Sequence, residues 1–161
     1  MPPPVVVLVC GPAGSGKTTH ARALERAGWV RLSFDDEAWA RGHRDHPVDP
    51  AAVARVHAGL QADLLRLVAA GRQVVVDTSF WSRASRDAYR AVLAPTGATV
   101  VVHLLDTPRD VVLARLAARR GTGGDDVVVP QELAVAYLDG FETPTDDEGP
   151  LVVVPGTGDD D

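Results

Sequence analysis

The sequence predicts an α/β fold built on a mostly parallel sheet. Short apolar runs rich in β-branched residues recur along the chain, and segments with apolar residues at helical spacing lie between them. This alternation is typical of a parallel sheet with helices packed on it. The length of 161 residues suits one domain with one sizeable core, and no internal repeat or linker divides it. We therefore expect a single domain over residues 1–161.

The first three predicted elements are a strand, a helix and a second strand. The run Val5–Cys10 is short, apolar and β-branched, which indicates a buried strand. A helix is predicted over about Gly16–Ala27, directly after a glycine-rich segment. The weaker apolar run Val30–Ser33 predicts the next strand.

The longest predicted helix begins with Asp49 and Pro50 and ends at Gly71. An Asp before a Pro is typical of a helix start, and a Gly just past the last turn is typical of a helix end. Between them, apolar residues recur at helical spacing: Val53, Val56, Leu60, Leu64, Leu67 and Val68. The strand Gln73–Val76 comes next, and Asp77 closes it.

The second half of the chain repeats the alternation. Its predicted helices and strands, in order, are Ser82–Leu93, Thr99–Leu105, Arg109–Arg120, Pro130–Gly140 and Leu151–Val154. A segment rich in Gly and Asp over 121–126 is expected to be flexible, and the acidic tail over 158–161 is expected to be frayed.

The charge and the cysteine content argue against several classes of partner. Sixteen basic residues against 22 acidic ones leave a formal charge of −6, and binding to nucleic acid or anionic membranes rests on Lys and Arg. No apolar run reaches the length of about 18 residues that a transmembrane helix needs. The apolar start has no basic residue before it, unlike a signal peptide. Because Cys10 is the single cysteine, no internal disulfide can form, and we predict a cytoplasmic protein without a membrane partner.

Residues 11–18 read GPAGSGKT, which matches the phosphate-binding pattern G-x-x-x-x-G-K-[ST], or Walker A loop. Its glycines let the backbone wrap around phosphate oxygens, and its N–H groups form an anion nest at the start of a helix. Lys17 can then reach the β- and γ-phosphates, and the Thr18 hydroxyl can bind Mg²⁺. We expect nucleotide contacts from the whole loop and the residue after it: Gly11, Pro12, Ala13, Gly14, Ser15, Gly16, Lys17, Thr18 and Thr19.

Lys17 is the only lysine of the chain, and arginine supplies every other basic residue of the sixteen. A compact ammonium fits between the phosphates, whereas a guanidinium fork would not fit the same place. The guanine-reading motif N-K-x-D is absent because there is no second lysine. ATP is therefore the favoured nucleotide, with GTP as the alternative phosphate donor.

Acidic residues follow the second and third predicted strands, at the edge of the sheet where ligands bind. Phosphoryl transfer to a hydroxyl needs a group that orients the acceptor and takes its proton. We interpret Asp35, ahead of its neighbour Asp36, as that base, and the alternative is that Asp35 caps a following short helix. Asp77 is expected to hold Mg²⁺ through water or to hold the acceptor, which Asp36 and Thr78 would also contact.

Two groups of arginines are candidates for contacts with charged groups. Arg115, Arg119 and Arg120 lie at the end of one predicted helix, before a glycine-rich segment that could act as a hinge. We interpret them as part of a lid over about 119–130 that brings arginines to the γ-phosphate; the alternative is that they pair with the helix dipole. Arg83 and Arg86 lie on the helix after Asp77, where they form a solvated basic face or contact the acceptor. His20, His57 and His103 have no partner in the sequence and are interpreted as structural.

Several motifs together resemble a known group of enzymes. GPAGSGKTT, LSFDD, DTSFWSRASR, LARLAARRG and FETPTDDE stand in the same order as in small P-loop kinases of the AAA_33 type. That group includes the kinase domain of phage polynucleotide 5′-kinase and is akin to the chloramphenicol phosphotransferase and zeta-toxin-like kinases. The resemblance covers nearly the whole chain and implies a five-stranded parallel sheet of order 2-3-1-4-5.

The resemblance also implies roles for individual residues. The general base of the polynucleotide kinases matches Asp35, and the arginine of their lid matches Arg119 or Arg120. The loop after the last strand, formed by Pro155, Gly156 and Thr157, corresponds to the place where such kinases hold the nucleotide base.

Three functions remain open at this stage. The favoured one is transfer of the γ-phosphate of ATP to a hydroxyl of a small molecule, such as a metabolite, a nucleoside or an antibiotic. The second is a polynucleotide 5′-hydroxyl kinase. Against it, the arginine that the phage-type enzyme carries three residues after its base is replaced by Ala38, and the net charge is negative. The third is a nucleotide-dependent switch that transfers nothing.

Overall fold

The computed structural model describes residues 2–42, 49–119 and 128–156. Its strands form one five-stranded sheet of order β2-β3-β1-β4-β5, in which every neighbouring pair is parallel. The predicted order and parallel architecture are therefore confirmed. The strands are β1 Val5–Cys10, β2 Val30–Ser33, β3 Val74–Asp77, β4 Thr99–Asp106 and β5 Leu151–Pro155.

Helices connect successive strands of the sheet. The α-helices of the described ranges are α1 Lys17–Arg26, α2 Phe34–Ala40, α3 Pro50–Ala69, α4 Arg83–Leu93, α5 Arg109–Ala117 and α6 Gln131–Asp139. Within those ranges, none of the helices has both the length and the apolar character that crossing a membrane requires.

The structure changes one predicted helix. The helix predicted to run to Arg120 ends at Ala117, where the N–H groups of Ala118 and Arg119 donate to carbonyls three residues back and tighten the last turn. Arg115 is therefore in the helix, whereas Arg119 lies beyond its end.

β1 is the central strand, and both of its faces are buried. Val6 and Leu8 belong to one core cluster, whereas Val7 and Val9 belong to another on the opposite side. This alternation follows from the two-residue period of a strand. An all-apolar strand such as β1 is therefore required at the centre of a sheet that helices cover on both faces.

The register of the sheet brings three chain segments to one edge. Val9 of β1 is aligned with Asp77 of β3, and Ser33 of β2 is aligned with the same Asp77. The glycine-rich loop after β1, helix α2 after β2 and the loop after β3 consequently begin side by side. This edge carries the residues that the sequence singled out.

A buried ion pair fixes the loop after β3. Arg86 of α4 is fully buried, and its Nε and Nη2 donate to the two carboxylate oxygens of Glu148 at 2.9 and 2.8 Å. Its Nη1 donates to the carbonyl of Phe80 at 2.7 Å. Phe80 has a φ of 47°, which is unfavourable for a bulky side chain, so the surrounding contacts must hold it. Arg86 thus links the C-terminal segment to the loop after β3.

We expect Glu148→Gln to destabilise the protein. The change leaves the Arg86 guanidinium buried without its counter-charge, and breaking a buried pair from one side costs about 3–5 kcal/mol. Urea denaturation near neutral pH measures this loss. Asp147→Asn is the matched control because Asp147 lies next in sequence, pairs with Arg83 and is exposed, so it should shift the midpoint little. An unchanged midpoint in Glu148→Gln would contradict the role of the pair.

The same pair sets a pH range for the stability. The hydrogen bond from Arg86, aided by Arg90, lowers the pKa of Glu148 from 4.5 to about 2. Because the pKa is lower in the folded protein, the stabilisation is fully present above about pH 4.5 and is lost as the pH falls toward 2.

Candidate active site

The glycine-rich loop after β1 has the backbone that its glycines predict. Gly14 and Gly16 have φ angles of 84° and 98°, in the left-handed region. A Cβ on Gly14 would also lie 3.0 Å from the carbonyl oxygen of Val112 and from Cγ of Leu116 in α5. Glycine is therefore required at position 14 both by the backbone conformation and by the close approach of α5.

Hydrogen bonds hold this loop to its neighbours. The Gly11 N–H donates to the carbonyl of Ser79 in the loop after β3 at 3.1 Å, and the Thr107 hydroxyl donates to the carbonyl of Ser15 at 2.6 Å. The Oγ of Ser15 is buried and has no hydrogen-bond partner among the described residues. A buried polar atom normally has a partner, so Ser15 is available to a ligand of the loop.

Lys17 and Thr18 begin helix α1 at the end of the loop. The side chain of Lys17 lines a cavity that extends from the loop, and the residue is 7% exposed. The Thr18 hydroxyl donates to Asp77 Oδ2 at 3.1 Å, so the sheet brings together two residues predicted to act on Mg²⁺. Thr19 also lies in the first turn of α1, but it is exposed.

Arg31 is a residue that the sequence analysis did not single out. Its guanidinium donates to Asp77 at 3.0 Å and to Asp36 at 2.8 Å, so it holds both carboxylates. Burial alone would lower the pKa of Arg31, but the two carboxylates outweigh burial and raise the pKa. A charged residue inside the short strand β2 was the sequence signal for this role.

Asp35 lines the same cavity as Lys17. Ser33 is the N-cap of α2, and its hydroxyl accepts from the Asp36 N–H at 3.1 Å. The alternative that Asp35 caps this helix is therefore wrong. Asp36 is directed to Arg31 instead of the cavity lining, which separates the two neighbouring carboxylates.

The cavity has a volume of about 450 Å³, which is within the size range of small-molecule sites. Pro12 and Ala13 of the glycine-rich loop line it, together with Lys17, Asp35 and the predicted residue Thr78. The other walls are apolar or aromatic and come from α2, α3, α6 and the loops that follow β3 and α6: Phe34, Val53, Trp81, Leu133, Ala136, Tyr137 and Phe141.

His57 also lines the cavity, although the sequence analysis interpreted it as structural. Its Nδ1 is 2.8 Å from the hydroxyl of Tyr89, and its ring lies 4.9 Å from the ring of Phe34. Burial lowers the pKa of His57, so the ring is neutral near neutral pH. No spacing in the sequence marks His57 as a cavity residue, because its ring contacts, Phe34 and Tyr89, come from other elements.

The predicted arginines occupy different places. Arg86 is enclosed by Glu148 and Phe80, and Arg83 is exposed and paired with Asp147; neither lines the cavity. The structure therefore does not bring these two arginines to the acceptor side of the site.

The arginines of α5 lie closer to the glycine-rich loop. Arg115 donates from Nη1 to the carbonyl of Gly14 at 3.2 Å. Arg119 follows the end of α5, and Arg120, with most of the predicted lid, lies outside the described residues.

The loop after β5 is tied to the same edge. Gly156 donates its N–H to the carbonyl of Asp106 at 2.9 Å, and a Cβ at this position would lie 2.7 Å from Cβ of Thr107. Glycine is required by this approach, and Thr107 in turn contacts Ser15 of the glycine-rich loop. Pro155 ends β5 and is exposed, and Thr157 lies outside the described residues.

Comparison with known sequences identifies a family, and a relative that matches over part of its length. The AAA_33 model, described as an AAA domain, matches residues 6–144. A UPF0200 protein of Pyrobaculum aerophilum is 39% identical over 77 residues, which cover 45% of this chain and 44% of the relative. The match thus spans less than half of that protein.

Solved structures share the fold over most of the chain. A putative kinase from Chloroflexus aurantiacus has a TM-score of 0.77 at 20% identity, covering 95% of this chain and 88% of its own. A sugar kinase from Janibacter has a TM-score of 0.70 at 24% identity, with 95% and 86% covered. A chain of the Pnkp1/Rnl/Hen1 RNA repair complex has a TM-score of 0.73 at 23% identity, with 85% and 43% covered.

The sheet order, the glycine-rich loop and these matches agree on one classification. The family model covers most of the described sheet, including the segments that carry Lys17, Asp35 and Asp77. This chain belongs to the AAA_33 family and has the fold of the small P-loop kinases.

Proposed function

We propose that this protein transfers the γ-phosphate of ATP to a hydroxyl group of a small molecule. The observation that carries the proposal is that Lys17 and Asp35 line one cavity, which begins at the phosphate-binding loop and extends away from it. Lys17, a cation for the phosphates, and Asp35, a carboxylate for the acceptor proton, thus line the same cavity. This is the arrangement that phosphoryl transfer to a bound alcohol requires.

The chain's own groups account for each requirement of the reaction. The backbone N–H groups of the loop and Lys17 bind the β- and γ-phosphates. The acceptor oxygen forms a bond to the γ-phosphorus, the bond from that phosphorus to the β,γ-bridging oxygen breaks, and ADP leaves. Asp35 orients the hydroxyl and takes its proton. Arg115, which contacts Gly14, and Arg119 or Arg120 would counter the charge that develops on the transferred group.

The residues near Thr18 suit a magnesium ion bound with the nucleotide. The described residues contain no cluster of three His, Cys, Asp or Glu side chains, and Mg²⁺ usually keeps several waters and uses few protein ligands beside phosphates. The Thr18 hydroxyl would hold it directly, and Asp77 would hold it through water. When bound, the ion would neutralise phosphate charge. Arg31 keeps the Asp77 carboxylate in place for this contact.

The acceptor side favours a small molecule over a polynucleotide. In the described lining of the cavity, Lys17 is the one cation, and it belongs to the phosphate site. The arginine nearest in sequence to the expected polynucleotide contact, Arg41, is exposed and paired with Glu37 at 2.9 Å. Ala38 itself is buried. The donor is proposed to be ATP, with GTP as the alternative, and the place of action is proposed to be the cytoplasm.

Lys17→Ala should reduce phosphoryl transfer by at least about a hundredfold, because the charge on the β- and γ-phosphates is removed in the ground and transition states. The measurement is transfer from radiolabelled ATP with an acceptor that the wild type phosphorylates. Arg26→Ala removes an exposed cation from the last turn of the same helix and should keep full activity. Full activity of purified Lys17→Ala at saturating ATP would refute the phosphate-site assignment.

Asp35→Asn should lower kcat strongly and leave the nucleotide Kd nearly unchanged, since the change keeps the size but removes the proton acceptor. Asp36→Asn is the matched control and should keep most of kcat, because the Asp36 carboxylate pairs with Arg31 and does not line the cavity. Steady-state kinetics and ATP titration separate the two effects. If Asp36→Asn were inactive and Asp35→Asn active, the assignment within the pair would be reversed.

A single-stranded oligonucleotide should not be retained at physiological salt, with or without ATP. Binding along a nucleic acid backbone needs several cations and weakens steeply as salt rises, and the net charge is −6. Filter binding over a salt series measures it. Tight, salt-dependent binding with phosphate transferred to the 5′-hydroxyl would establish the polynucleotide kinase instead.

A further inference from the structure

We infer that the acceptor is an uncharged alcohol that carries a planar aromatic or heteroaromatic ring, and that the ring binds against Trp81 and Phe141. This inference rests on the proposed function and names the substrate class of the same cavity. The inference is based on which side chains in the described lining of the cavity are charged and which are aromatic.

The described lining of the cavity contains few charged groups. In the described lining they are Lys17 and Asp35, beside the phosphate-binding loop. Both have a part in the transfer itself, so neither is left to neutralise a charged acceptor. His57 adds no charge, because burial lowers its pKa and the ring is neutral near neutral pH. Among the described lining residues, a phosphorylated or carboxylated acceptor would therefore lose hydration without gaining a counter-charge.

Aromatic side chains from separate elements also line the cavity. Phe34 begins α2, Trp81 follows β3, and Tyr137 and Phe141 come from α6 and the residues after it. The N–H of Glu142 donates to the carbonyl of Trp81 at 2.7 Å, so the segment with Phe141 is held beside Trp81. Aromatic walls of this kind favour flat rings by stacking and apolar contact.

The aromatic residues of the lining differ in how much of their surface is exposed to solvent. The ring of His57 lies 4.9 Å from the ring of Phe34 and 5.7 Å from the ring of Tyr89, so it packs against two neighbouring rings. Trp81 is 53% exposed, although it is a large apolar side chain that lines the cavity. A ring bound against it would cover part of that surface, which supplies binding energy without a charge. A polyol bound beside Trp81 would instead need several hydrogen-bond partners.

The test uses matched pairs of alcohols with the protein bound to Mg²⁺ and a non-hydrolysable ATP analogue. Phenyl β-D-glucoside and methyl β-D-glucoside have the same sugar hydroxyls and differ in the ring. Adenosine and adenosine 3′-phosphate share the ring system and differ in charge. Dissociation constants are measured by calorimetry, and saturation-transfer NMR reports whether ring protons contact the protein. We expect each neutral aromatic compound to bind at least about tenfold more tightly than its partner.

Variants locate the binding surface. Trp81→Ala should weaken phenyl β-D-glucoside about tenfold and leave the affinity for the ATP analogue unchanged. Trp81→Phe should retain most of the binding, because it keeps a ring at this position. Leu65→Ala is the control, since Leu65 is an exposed apolar residue of α3 outside the lining. Unchanged nucleotide binding also shows that each variant is folded.

The outcomes separate this inference from the proposed function. Equal binding within the glucoside pair, tighter binding of adenosine 3′-phosphate, failure of both aromatic compounds to bind, or no effect of Trp81→Ala would each overturn the inference. If methyl β-D-glucoside or gluconate were phosphorylated as well as the aromatic alcohols, the inference would fail and the kinase would stand. If the ring bound as expected but no phosphate left radiolabelled ATP, the kinase would fail and the ring site would stand.

Discussion

The parallel pairing of β1 with β3 is the contact on which the site depends. Its register aligns Val9 with Asp77, so the residues that follow both strands meet at one edge. The Gly11 N–H then reaches the Ser79 carbonyl, and the Thr18 hydroxyl reaches Asp77. A shift of one residue would turn the Asp77 side chain to the other face of the sheet and break the contact with Thr18. Burial of both faces of β1 prevents such a shift, because a displaced register would misplace the apolar side chains of the core.

A second constraint acts on the loop after β3, which forms part of the cavity. Phe80 holds an unfavourable φ of 47°, and the Arg86 guanidinium binds its carbonyl while Glu148 neutralises the guanidinium. Cys10, at the end of β1, also contacts this group, and burial raises the pKa of its thiol to about 11. Buried charge is costly unless it is paired. The C-terminal segment with Glu148 is therefore needed for the geometry of a loop far from it in sequence.

The lining of the cavity combines a charged surface and an apolar surface. The charged groups of its described lining are Lys17 and Asp35, and most of the other described lining residues are apolar or aromatic. Phosphate groups and a transferred proton need the first surface, because only ionised or strongly polar groups stabilise them at low cost. Under the proposed function, the second surface would bind the rest of the acceptor by shape and apolar contact.

The sequence by itself determined the strands, the phosphate-binding loop and, through its resemblance, the sheet order, because these depend on consecutive residues or on motifs in a fixed order. The glycines of the loop and the apolar run of β1 are examples. Tertiary structure alone decided that Arg31 holds Asp77, that Arg86 is enclosed by Glu148, 62 residues away, and that His57 lines the cavity. It also ended α5 at Ala117, short of the predicted end. The reason is physical: local backbone geometry is set by neighbours along the chain, whereas the partner of a buried charge or ring depends on which distant elements the sheet brings together.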